Sequence, residues 1–362
     1  MPNNCFITTT RDDMMKWNTF KILNSIALCL MVASPSLSAQ ENEKAPLRVT
    51  VDNFKRAETD LYFAKFAKEG AFGKFFHNRE LIPVEKQDVI RMNRDTLYST
   101  AIADLEHGPV TLDIPNSNGR FLSIQVINED HYTPMVIYKA GKNRISKKDI
   151  GTRYVLFLVR TFVDPNSQED LKAVHALQDQ FKIQQAAESN FEVPNWDVVA
   201  AEKLRVALNA LVAANGGVDS SKMFGAEGKV DPVHHLLGTA SGWGGNPLED
   251  AYYVGGEPTN NDGKTIYQLT VKDVPVKGFW SISIYNKAGF FEKNKLGLYT
   301  LNNITAKKDN DGSVAIQFGN CENYKGNCLP ITSGWNYLVR LYRPEASILN
   351  GKWTFPKPTQ VK

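Results

Sequence analysis

The stretch YVLFLVRTF, residues 154–162, is a nearly continuous run of apolar, strand-forming side chains. Upstream of it, FLSIQVIN (121–128) alternates apolar and polar residues with the two-residue period of a β-strand. The turn-forming sequences NSNG (116–119) and GKNR (141–144) separate such runs. These segments predict a first domain that is chiefly antiparallel β.

Helical periodicity lies on both sides of this β region. Apolar residues recur at steps of three and four from Thr50 to Phe76, which predicts a helix there. After the strands, SQED (167–170) has the form of a capping box, and a further helix is expected from about Trp196 to Ala214. The glycine-rich sequence GTASGWGGNP (238–247) is interpreted as a link. The sequence therefore predicts a helical connector over residues 166–230.

From Ala251 the β pattern returns and continues to the end of the chain. TIYQLTV, GFWSISIYN, GSVAIQF and WNYLVRLYRP are separated by Gly-containing turns, and such hairpin-rich strands favour a sandwich or jelly roll over a parallel sheet. The predicted fold class is mainly β with helical segments (α+β), with two antiparallel β-sandwich or jelly-roll-like domains joined by a helical insert. The expected domains are residues 40–165 and 231–362.

The N-terminal region has the order of a secretory signal peptide, predicted over residues 1–39. Lys16 and Lys21 precede an apolar stretch at 22–33, and the small residues of SLSA (36–39) follow it. The stretch is shorter than the roughly 20 apolar residues that span a bilayer, although an uncleaved anchor is the alternative. We therefore expect a periplasmic or secreted protein without stable membrane insertion after cleavage.

Charge and cysteine content narrow the classes of partner. A net charge of +3 over 362 residues is nearly balanced and gives no electrostatic reason to expect nucleic acid as a partner. Outside residues 1–39 the cysteines are Cys321 and Cys328, and an even count in an exported chain predicts a local disulfide. Half of a zinc site is the alternative, but no second pair at ligand spacing is nearby. We expect neither a metal nor a cofactor.

The first polar cluster of interest is RMNRDTLYST, residues 91–100. Arg91 and Arg94 offer planar guanidiniums for a carboxylate, sulfate or phosphate, and Asp95 is available to neutralise one of them. Asn93 and Tyr98 add hydrogen-bonding groups. In a regular strand, Arg91 and Arg94 would point to opposite faces and serve different partners.

Two further clusters carry polar side chains at strand positions. NEDHY (128–132) places Asp130 and His131 side by side at the end of a strand, and a carboxylate beside an imidazole can support acid–base chemistry. In WNYLVRLYRP, Arg340 and Tyr342 share one strand face and are positioned to line a pocket. For all three clusters, a structural ion pair or a polar strand end is the alternative interpretation.

Other motifs give weaker signals. Ser241 in GTASGWGG lacks the G-x-S-x-G spacing of a nucleophile elbow, and a hinge is the simpler interpretation. His234 and His235 are adjacent, so their side chains diverge in either a helix or a strand and make a poor metal pair.

Several longer phrases resemble a known family. RMNRDTLYSTAIADL and GPVTLDIPNSNGRFLSIQVIN resemble the first of two paired bacterial domains of unknown function, numbered 1254 and 1214. GFWSISIYNKAGFFEKN, NCLPITSGWNYLVRLYRP and ILNGKWTFP resemble the second. The likeness covers about residues 50–357. It implies a two-domain, β-rich, jelly-roll-type protein that is often exported and forms oligomers, and it supplies neither a reaction nor catalytic residues.

The leading hypothesis is an exported protein that binds a small molecule or saccharide, or that assembles into homo-oligomers. The candidate ligand-binding residues are Arg91, Asn93, Arg94, Tyr98, Arg340 and Tyr342. The alternative is a hydrolase with a non-standard site, for which the candidate catalytic residues are Asp95, Asp130 and His131.

Overall fold

The computed structural model describes residues 45–87 and 90–361 of the chain, and it is mainly β with helical segments, as the sequence predicts. The predicted signal peptide, residues 1–39, lies outside the described residues. The strands are β1 Phe76–His77, β2 Thr96–Asp104, β3 Val110–Ile114, β4 Leu122–Asn128, β5 Met135–Ile137, β6 Gly141–Ile145, β7 Tyr154–Phe162, β8 Lys182–Gln184, β9 Ala251–Gly256, β10 Tyr267–Val271, β11 Trp280–Tyr285, β12 Thr300–Asn302, β13 Val314–Phe318, β14 Asn327–Leu329, β15 Asn336–Tyr342 and β16 Thr359–Gln360. The α-helices are α1 Phe54–Phe66, α2 Lys147–Ile150, α3 Gln168–Gln178, α4 Val198–Ala214, α5 Pro232–Gly242 and α6 Ala346–Leu349.

The first domain has a five-stranded sheet in the order β1-β2-β7-β4-β5 and a three-stranded sheet in the order β6-β3-β8. The apolar run YVLFLVRTF forms β7, which lies between β2 and β4. Val155, Phe157 and Val159 pack in a core with the three-stranded sheet, whereas Leu156 and Leu158 pack in a second core on the opposite face. Burial on both faces explains why this strand is apolar almost throughout.

α1 covers the second face of the five-stranded sheet, where Phe63 packs with Leu156 and Leu158, and two further helices pack against α1. α1, α4 and α5 pack together around Phe54, Ala57, Leu208 and Leu237. Ser167 is the N-cap of α3, since its side chain accepts a hydrogen bond from the Asp170 amide, but the predicted capping box is incomplete because the Ser167 amide donates to the Asp164 carbonyl and the Asp170 carboxylate accepts from the Asp164 amide instead. None of the helices in the described ranges is both long and apolar enough to cross a membrane.

Three local expectations are wrong, each for an identifiable reason. α1 ends at Phe66 and continues only as a π-helical segment to Ala71, because the chain turns through left-handed conformations at Gly70 and Gly73. The predicted turn at 141–144 is part of β6, because these residues pair with β3.

The third wrong expectation is the glycine-rich link over residues 238–247, because the first half of this segment is helical. Asp231 accepts hydrogen bonds from the amides of Val233 and His234 and so begins α5, which runs to Gly242. Gly238 allows the Met223 side chain to approach within 3.0 Å of the position a Cβ would occupy. A helix with glycine at such a close contact is easily mistaken for a linker.

The second domain is a sandwich of two four-stranded sheets, ordered β14-β13-β10-β16 and β12-β11-β15-β9. Among the named strands of the described residues, β13 and β14 pair in parallel and the other pairs are antiparallel. The predicted disulfide between Cys321 and Cys328 is present. Tyr337, Val339 and Leu341 point into the core between the sheets, so the predicted alternation along β15 is confirmed.

The outer face of β15 meets the first domain. Phe279 stacks on Tyr342 with 4.4 Å between ring centroids, and it contacts Phe121 and Phe162 edge-on at 5.0 and 5.1 Å. These rings form an apolar patch at the junction between the domains. The polar side chains beside this patch form the candidate site.

Candidate functional site

Residues 91–95 connect the two domains in an irregular conformation. β2 begins only at Thr96, and Arg91 adopts a left-handed φ of 53°. The expected strand alternation therefore does not hold for this segment. The Arg91 amide donates to the Gly289 carbonyl at 2.8 Å, and its guanidinium donates to Asn336 Oδ1 at 3.2 Å. Contacts with the second domain, rather than sheet pairing, set the path of this segment.

Arg340 fixes the segment from the other side. Its guanidinium is buried and donates to the carbonyl oxygens of Arg91 and Met92 at 2.6 and 3.1 Å. It also donates to Ser283 Oγ at 3.0 Å and to the Tyr285 hydroxyl at 2.8 Å. These four acceptors, three of them on Nη2, fix the orientation of the guanidinium, which makes Arg340 a positioning residue of the junction.

Asp95 is the acidic group of the same junction and is fully buried. Its Oδ1 accepts hydrogen bonds from Thr300 Oγ1 at 3.2 Å and Asn302 Nδ2 at 3.4 Å, and its Oδ2 has no partner in the described part of the chain. Burial raises the pKa of Asp95, and the nearby Arg340 guanidinium opposes that rise. The Asp95 side chain belongs to the first domain but is therefore buried among polar side chains of the second domain.

Arg160 is a second buried guanidinium, on β7 of the first domain. It lies opposite Tyr98 on β2, with its Cζ 5.5 Å from the centre of the Tyr98 ring. It donates to Gln125 Oε1 at 2.7 Å and to the Gly244 carbonyl at 3.0 Å, both of which are uncharged acceptors. In the described ranges, neither Arg160 nor Arg340 forms an ion pair with a carboxylate.

Three tyrosines, Tyr98, Tyr253 and Tyr342, lie near the Arg160 guanidinium. Asn93 Nδ2 donates to the Tyr342 hydroxyl at 3.0 Å and to Thr96 Oγ1 at 3.1 Å, and the Tyr98 hydroxyl lies 3.4 Å from the same nitrogen. We call the three tyrosine hydroxyls, together with Arg160, the hydroxyl cluster. Its members come from both domains.

The orientation of the Asn93 and Asn246 side-chain amides determines whether a neighbouring tyrosine hydroxyl accepts or donates a hydrogen bond. Asn93 Oδ1 accepts the Asp95 amide at 2.8 Å, so its Nδ2 must be the atom that faces the tyrosines. Asn246 Nδ2 likewise donates to the Tyr253 hydroxyl at 3.0 Å. The Tyr342 hydroxyl therefore serves as an acceptor, and no acceptor for its own proton is found among the described residues. The cluster is rich in donors and poor in acceptors.

With this geometry in place, the chain can be compared with known proteins. Residues 72–143 match the family model described as a protein of unknown function, DUF1254, and residues 251–346 match the one described as a protein of unknown function, DUF1214. The two matches lie along the chain in the order DUF1254 and then DUF1214. This confirms the resemblance that the sequence phrases predicted. The hydroxyl cluster draws Tyr98 from the DUF1254 match and Tyr253 and Tyr342 from the DUF1214 match, while Arg160 lies outside both.

A solved structure from Vibrio parahaemolyticus shares the fold of this chain. The crystal structure of the VPA0106 protein from Vibrio parahaemolyticus is 17% identical with a TM-score of 0.63, and the match covers 86% of this chain and 98% of that one. The structure of an uncharacterized protein from Burkholderia cenocepacia is 18% identical with a TM-score of 0.47, covering 86% and 87%. Among curated proteins, none matches the chain significantly. These likenesses concern the fold, so function must be argued from the site.

His131, the imidazole candidate for acid–base work, is buried and fully hydrogen-bonded. The Thr239 hydroxyl donates to the His235 carbonyl, so it accepts from His131 Nδ1 at 2.8 Å, and His131 Nε2 accepts the Gly244 amide at 2.9 Å. Burial lowers the pKa of His131 well below its ordinary value. The ring is therefore a neutral Nδ1–H tautomer that ties the first domain to α5.

The other acid–base candidates do not meet His131. Asp130 forms a bidentate ion pair with Arg56, at 2.9 and 2.7 Å. Asp95 precedes Thr96, which pairs with Phe162 on β7, whereas Asn128, just before the His131 turn, pairs with Val155. Seven residues of strand correspond to about 23 Å. Asp95 and His131 lie at opposite ends of the sheet and share no direct proton path.

Arg94 faces a different side of the junction from Asn93. Its guanidinium donates to the Ile82 carbonyl at 2.6 Å and lies 5.2 Å from the centre of the Tyr299 ring. It lines a cleft of about 50 Å³ together with Asn166 and Thr300. The cleft is separate from the hydroxyl cluster, so the six candidate ligand-binding residues do not form one site.

A larger cavity, of about 240 Å³, lies within the second domain beside the disulfide. Its walls include Asn294, Asn320 and Lys295. The Asn294 side chain is engaged by its own loop, through the amides of Leu296 and Leu298, and the Asn320 side chain accepts from Asn323. This cavity offers fewer convergent donors than the junction, and we place the candidate site at the hydroxyl cluster.

Arg160, Tyr253 and Asn246 were missed by the sequence reasoning. A signal for Arg160 was present, because a charged residue inside a nearly continuous apolar strand must be buried and therefore needs a specific environment. Tyr253 and Asn246 carried no comparable signal. Their roles depend on the junction between domains, which no local pattern encodes.

Proposed function

We propose that this protein binds a small molecule through an oxyanion, such as a carboxylate, at the junction of its two domains. The observation that carries the proposal is the surplus of donors in the hydroxyl cluster. An acidic saccharide is one member of this ligand class. The proposal refines the expected small-molecule or saccharide binding by naming the group that is recognised.

The energetics of buried donors support an acceptor at this position. A buried polar group without a partner costs about 1–3 kcal/mol, and Tyr342 is almost fully buried. A carboxylate accepts several hydrogen bonds at once, and its bonds to a guanidinium or hydroxyl are about twice as strong as neutral ones. It would also match the charge of Arg160. Tyr98 and Tyr253 are half-buried, which gives the cluster an edge toward solvent.

The test is a comparison of acids with neutral molecules of the same shape. Thermal unfolding of the purified mature protein would be followed with butyrate against butyramide and with glucuronate against glucose. We expect the acids to raise Tm in a concentration-dependent way and the neutral molecules to leave it unchanged. Equal stabilisation by butyramide, or no stabilisation by any acid, would contradict the proposal and leave ordered water as the occupant.

Single-hydroxyl variants locate the effect. Tyr342→Phe and Tyr253→Phe each remove one donor, and we expect each to weaken acid binding by about 3- to 10-fold. Tyr337→Phe is the matched control, because Tyr337 is a buried tyrosine of the same strand as Tyr342 but points into the core of the second domain. Its affinity for acids should equal that of the unmodified protein.

We also propose that the protein acts outside the cytoplasm. Support comes from the signal-peptide pattern of residues 1–39 and from the Cys321–Cys328 disulfide, which is typical of oxidising compartments. N-terminal sequencing of the protein from a periplasmic fraction should find a start near Gln40. Recovery of the uncleaved chain in the cytoplasm would contradict export.

A further inference from the structure

α4 carries apolar side chains on its solvent-facing side as well as on its buried side. Leu208 and Val212 pack in the helical core with α1 and α5. On the opposite side, Val199 and Val206 are 61% and 60% exposed. A surface helix normally carries charged and polar residues on its solvent face, whereas a helix that is apolar on all sides is normally buried. The composition of α4 is therefore that of a helix covered on both sides.

The exposed apolar side chains of α4 form one stripe along the helix. With 3.6 residues per turn, four exposed apolar residues fall within about 60° of arc, and these are Val199, Val206, Ala210 and Ala213. No charged residue lies inside this arc. A contiguous apolar surface on a globular protein marks an interaction site, whereas single exposed apolar residues do not.

Two charged residues of opposite sign border the stripe. Glu202 and Lys203 are both exposed and lie on opposite flanks, each about 50° from the centre of the stripe. Lys203 forms no ion pair in the described ranges. Glu202 contacts Arg205 of its own helix, and Glu58 holds the same guanidinium at 2.7 and 2.6 Å. The charges on the two flanks of the stripe therefore cancel.

This charge pattern is complementary to itself. When two copies of one helix pack in parallel about a two-fold axis, opposite flanks of the two stripes face each other. Glu202 of each copy then lies opposite Lys203 of the other, and Val206 packs on Val206. A membrane surface fits the stripe less well, because helices that lie on membranes carry several Lys or Arg residues on one face and Trp, Phe or Leu on the other.

From this complementarity we infer that the exposed face of α4 is a self-association surface, on which a second copy of this chain packs its own α4 in parallel. The inference goes beyond the proposed function, because the stripe lies on α4 and does not depend on acid binding at the hydroxyl cluster. A single pair of helices buries less than the roughly 1,600 Å² of a standard interface, so the expected dimer is weak.

The first test is the mass of the mature protein in solution. Analytical ultracentrifugation over a wide range of concentration should show a rise toward twice the mass of one chain. Val206→Lys places two like charges at the centre of the pair, and we expect it to raise the dissociation constant by roughly tenfold or more. Ile304→Lys is the matched control, because Ile304 is 53% exposed but belongs to the second domain, and it should dimerise normally.

Charge variants test the pairing across the flanks. Lys203→Glu makes both flanks acidic and should weaken the dimer, because Glu202 then faces a like charge. The double variant that combines Lys203→Glu with Glu202→Lys restores opposite charges across the pair, and we expect it to recover dimerisation. A dimer that Lys203→Glu leaves unchanged would overturn the proposed pairing.

Single cysteines test the parallel direction. In the mature chain the native pair, Cys321 and Cys328, is bonded, so each cysteine variant has one free thiol. A parallel two-fold pair places every residue of the stripe beside its own counterpart, so mild oxidation should link both Val199→Cys and Val206→Cys into covalent dimers. Linkage of Val206→Cys alone would mean an antiparallel pair and would overturn the proposed arrangement.

Three results would overturn self-association itself. These are a monomer at every concentration, a folded Val206→Lys protein that dimerises as tightly as the unmodified one, and a monomer that instead sediments with vesicles of phosphatidylcholine and phosphatidylglycerol. The third result would assign the stripe to a membrane surface. Thermal unfolding of Val206→Lys establishes that the variant is folded.

Discussion

Asn93 Nδ2 donates to the Tyr342 hydroxyl at 3.0 Å, across the junction between the first and second domains. The bond has a defined direction, because Asn93 Oδ1 already accepts the Asp95 amide. Tyr342 must then use its own proton elsewhere, and no protein acceptor in the described ranges takes it. One amide thus determines that the junction presents donors, which is the basis of the predictions that concern binding.

Replacing the Asn93 amide by a carboxylate should give the tyrosine hydroxyls an acceptor within the protein and so prevent them from binding an added acid. In Asn93→Asp a carboxylate stands where Nδ2 stood, so the hydroxyls of Tyr98 and Tyr342 can donate to it. We expect the variant to be at least as stable as the unmodified protein and to show no increase in Tm with butyrate. Asn93→Ala is the comparison, since it should be less stable. An Asn93→Asp protein that binds butyrate normally would count against the account.

The buried Asp95 carboxylate should be important for stability. Asp95→Ala leaves the Thr300 and Asn302 side chains without this acceptor, and we expect a loss of about 2 kcal/mol in the free energy of unfolding. Asp130→Ala is the control, because its ion pair with Arg56 is partly exposed and should contribute about 1 kcal/mol or less. Urea denaturation measures both. Similar losses for the two variants would show that the buried Asp95 contributes no more to stability than the partly exposed Asp130.

Asp60 should make stability depend on pH. Its carboxylate accepts from Trp196 Nε1 at 2.9 Å, and burial raises its pKa from 3.8 to about 7. Between these two values the folded protein holds a proton that the unfolded chain has lost, so this contribution to stability is complete below pH 4 and is lost as the pH rises toward 7.

Asp60→Asn tests that dependence and keeps an acceptor for Trp196. At pH 8 we expect the variant to be more stable than the unmodified protein, by on the order of 3 kcal/mol. Near pH 4 the advantage should vanish, because both proteins are then uncharged at this position. Denaturation curves at the two pH values are the measurement. An equal difference at both would mean that Asp60 titrates normally.

The disulfide should stabilise the second domain without affecting the junction. Replacing Cys321 and Cys328 by serine opens a short loop, for which we expect a loss of about 2 kcal/mol. Acid affinity should remain unchanged, because Cys328 lies on β14, an edge strand of the sheet that does not contain β15. A large fall in affinity in a folded double variant would connect the disulfide to the site.

The parts of the site that follow from local periodicity were predictable. Alternation along β15 correctly separated Arg340 and Tyr342 from the core-facing side chains, because the two-residue period of a strand is a property of the backbone. The same reasoning failed at 91–95, because that segment follows the contours of the second domain rather than a neighbouring strand. Periodicity applies only where regular pairing exists.

The rest of the site depends on contacts between distant residues. His131 and Asp130 looked like an acid–base pair, but tertiary contacts assign one to Thr239 and the other to Arg56. Arg160 was not predicted as a site residue, because its surroundings include Tyr253 and Tyr342 of the other domain, which only the folded structure brings beside it. The residue type indicates which chemistry a side chain can support, but its contacts with residues distant in sequence determine whether it is available for that chemistry.

The most direct test of the central claim is calorimetric titration of butyrate and butyramide into the mature protein and into Asn93→Asp. The account predicts that butyrate binds the unmodified protein with one site per chain, that butyramide does not bind, and that Asn93→Asp binds neither. Binding of butyramide with similar affinity, or unchanged butyrate binding by Asn93→Asp, would contradict the claim that the junction is built to receive an oxyanion.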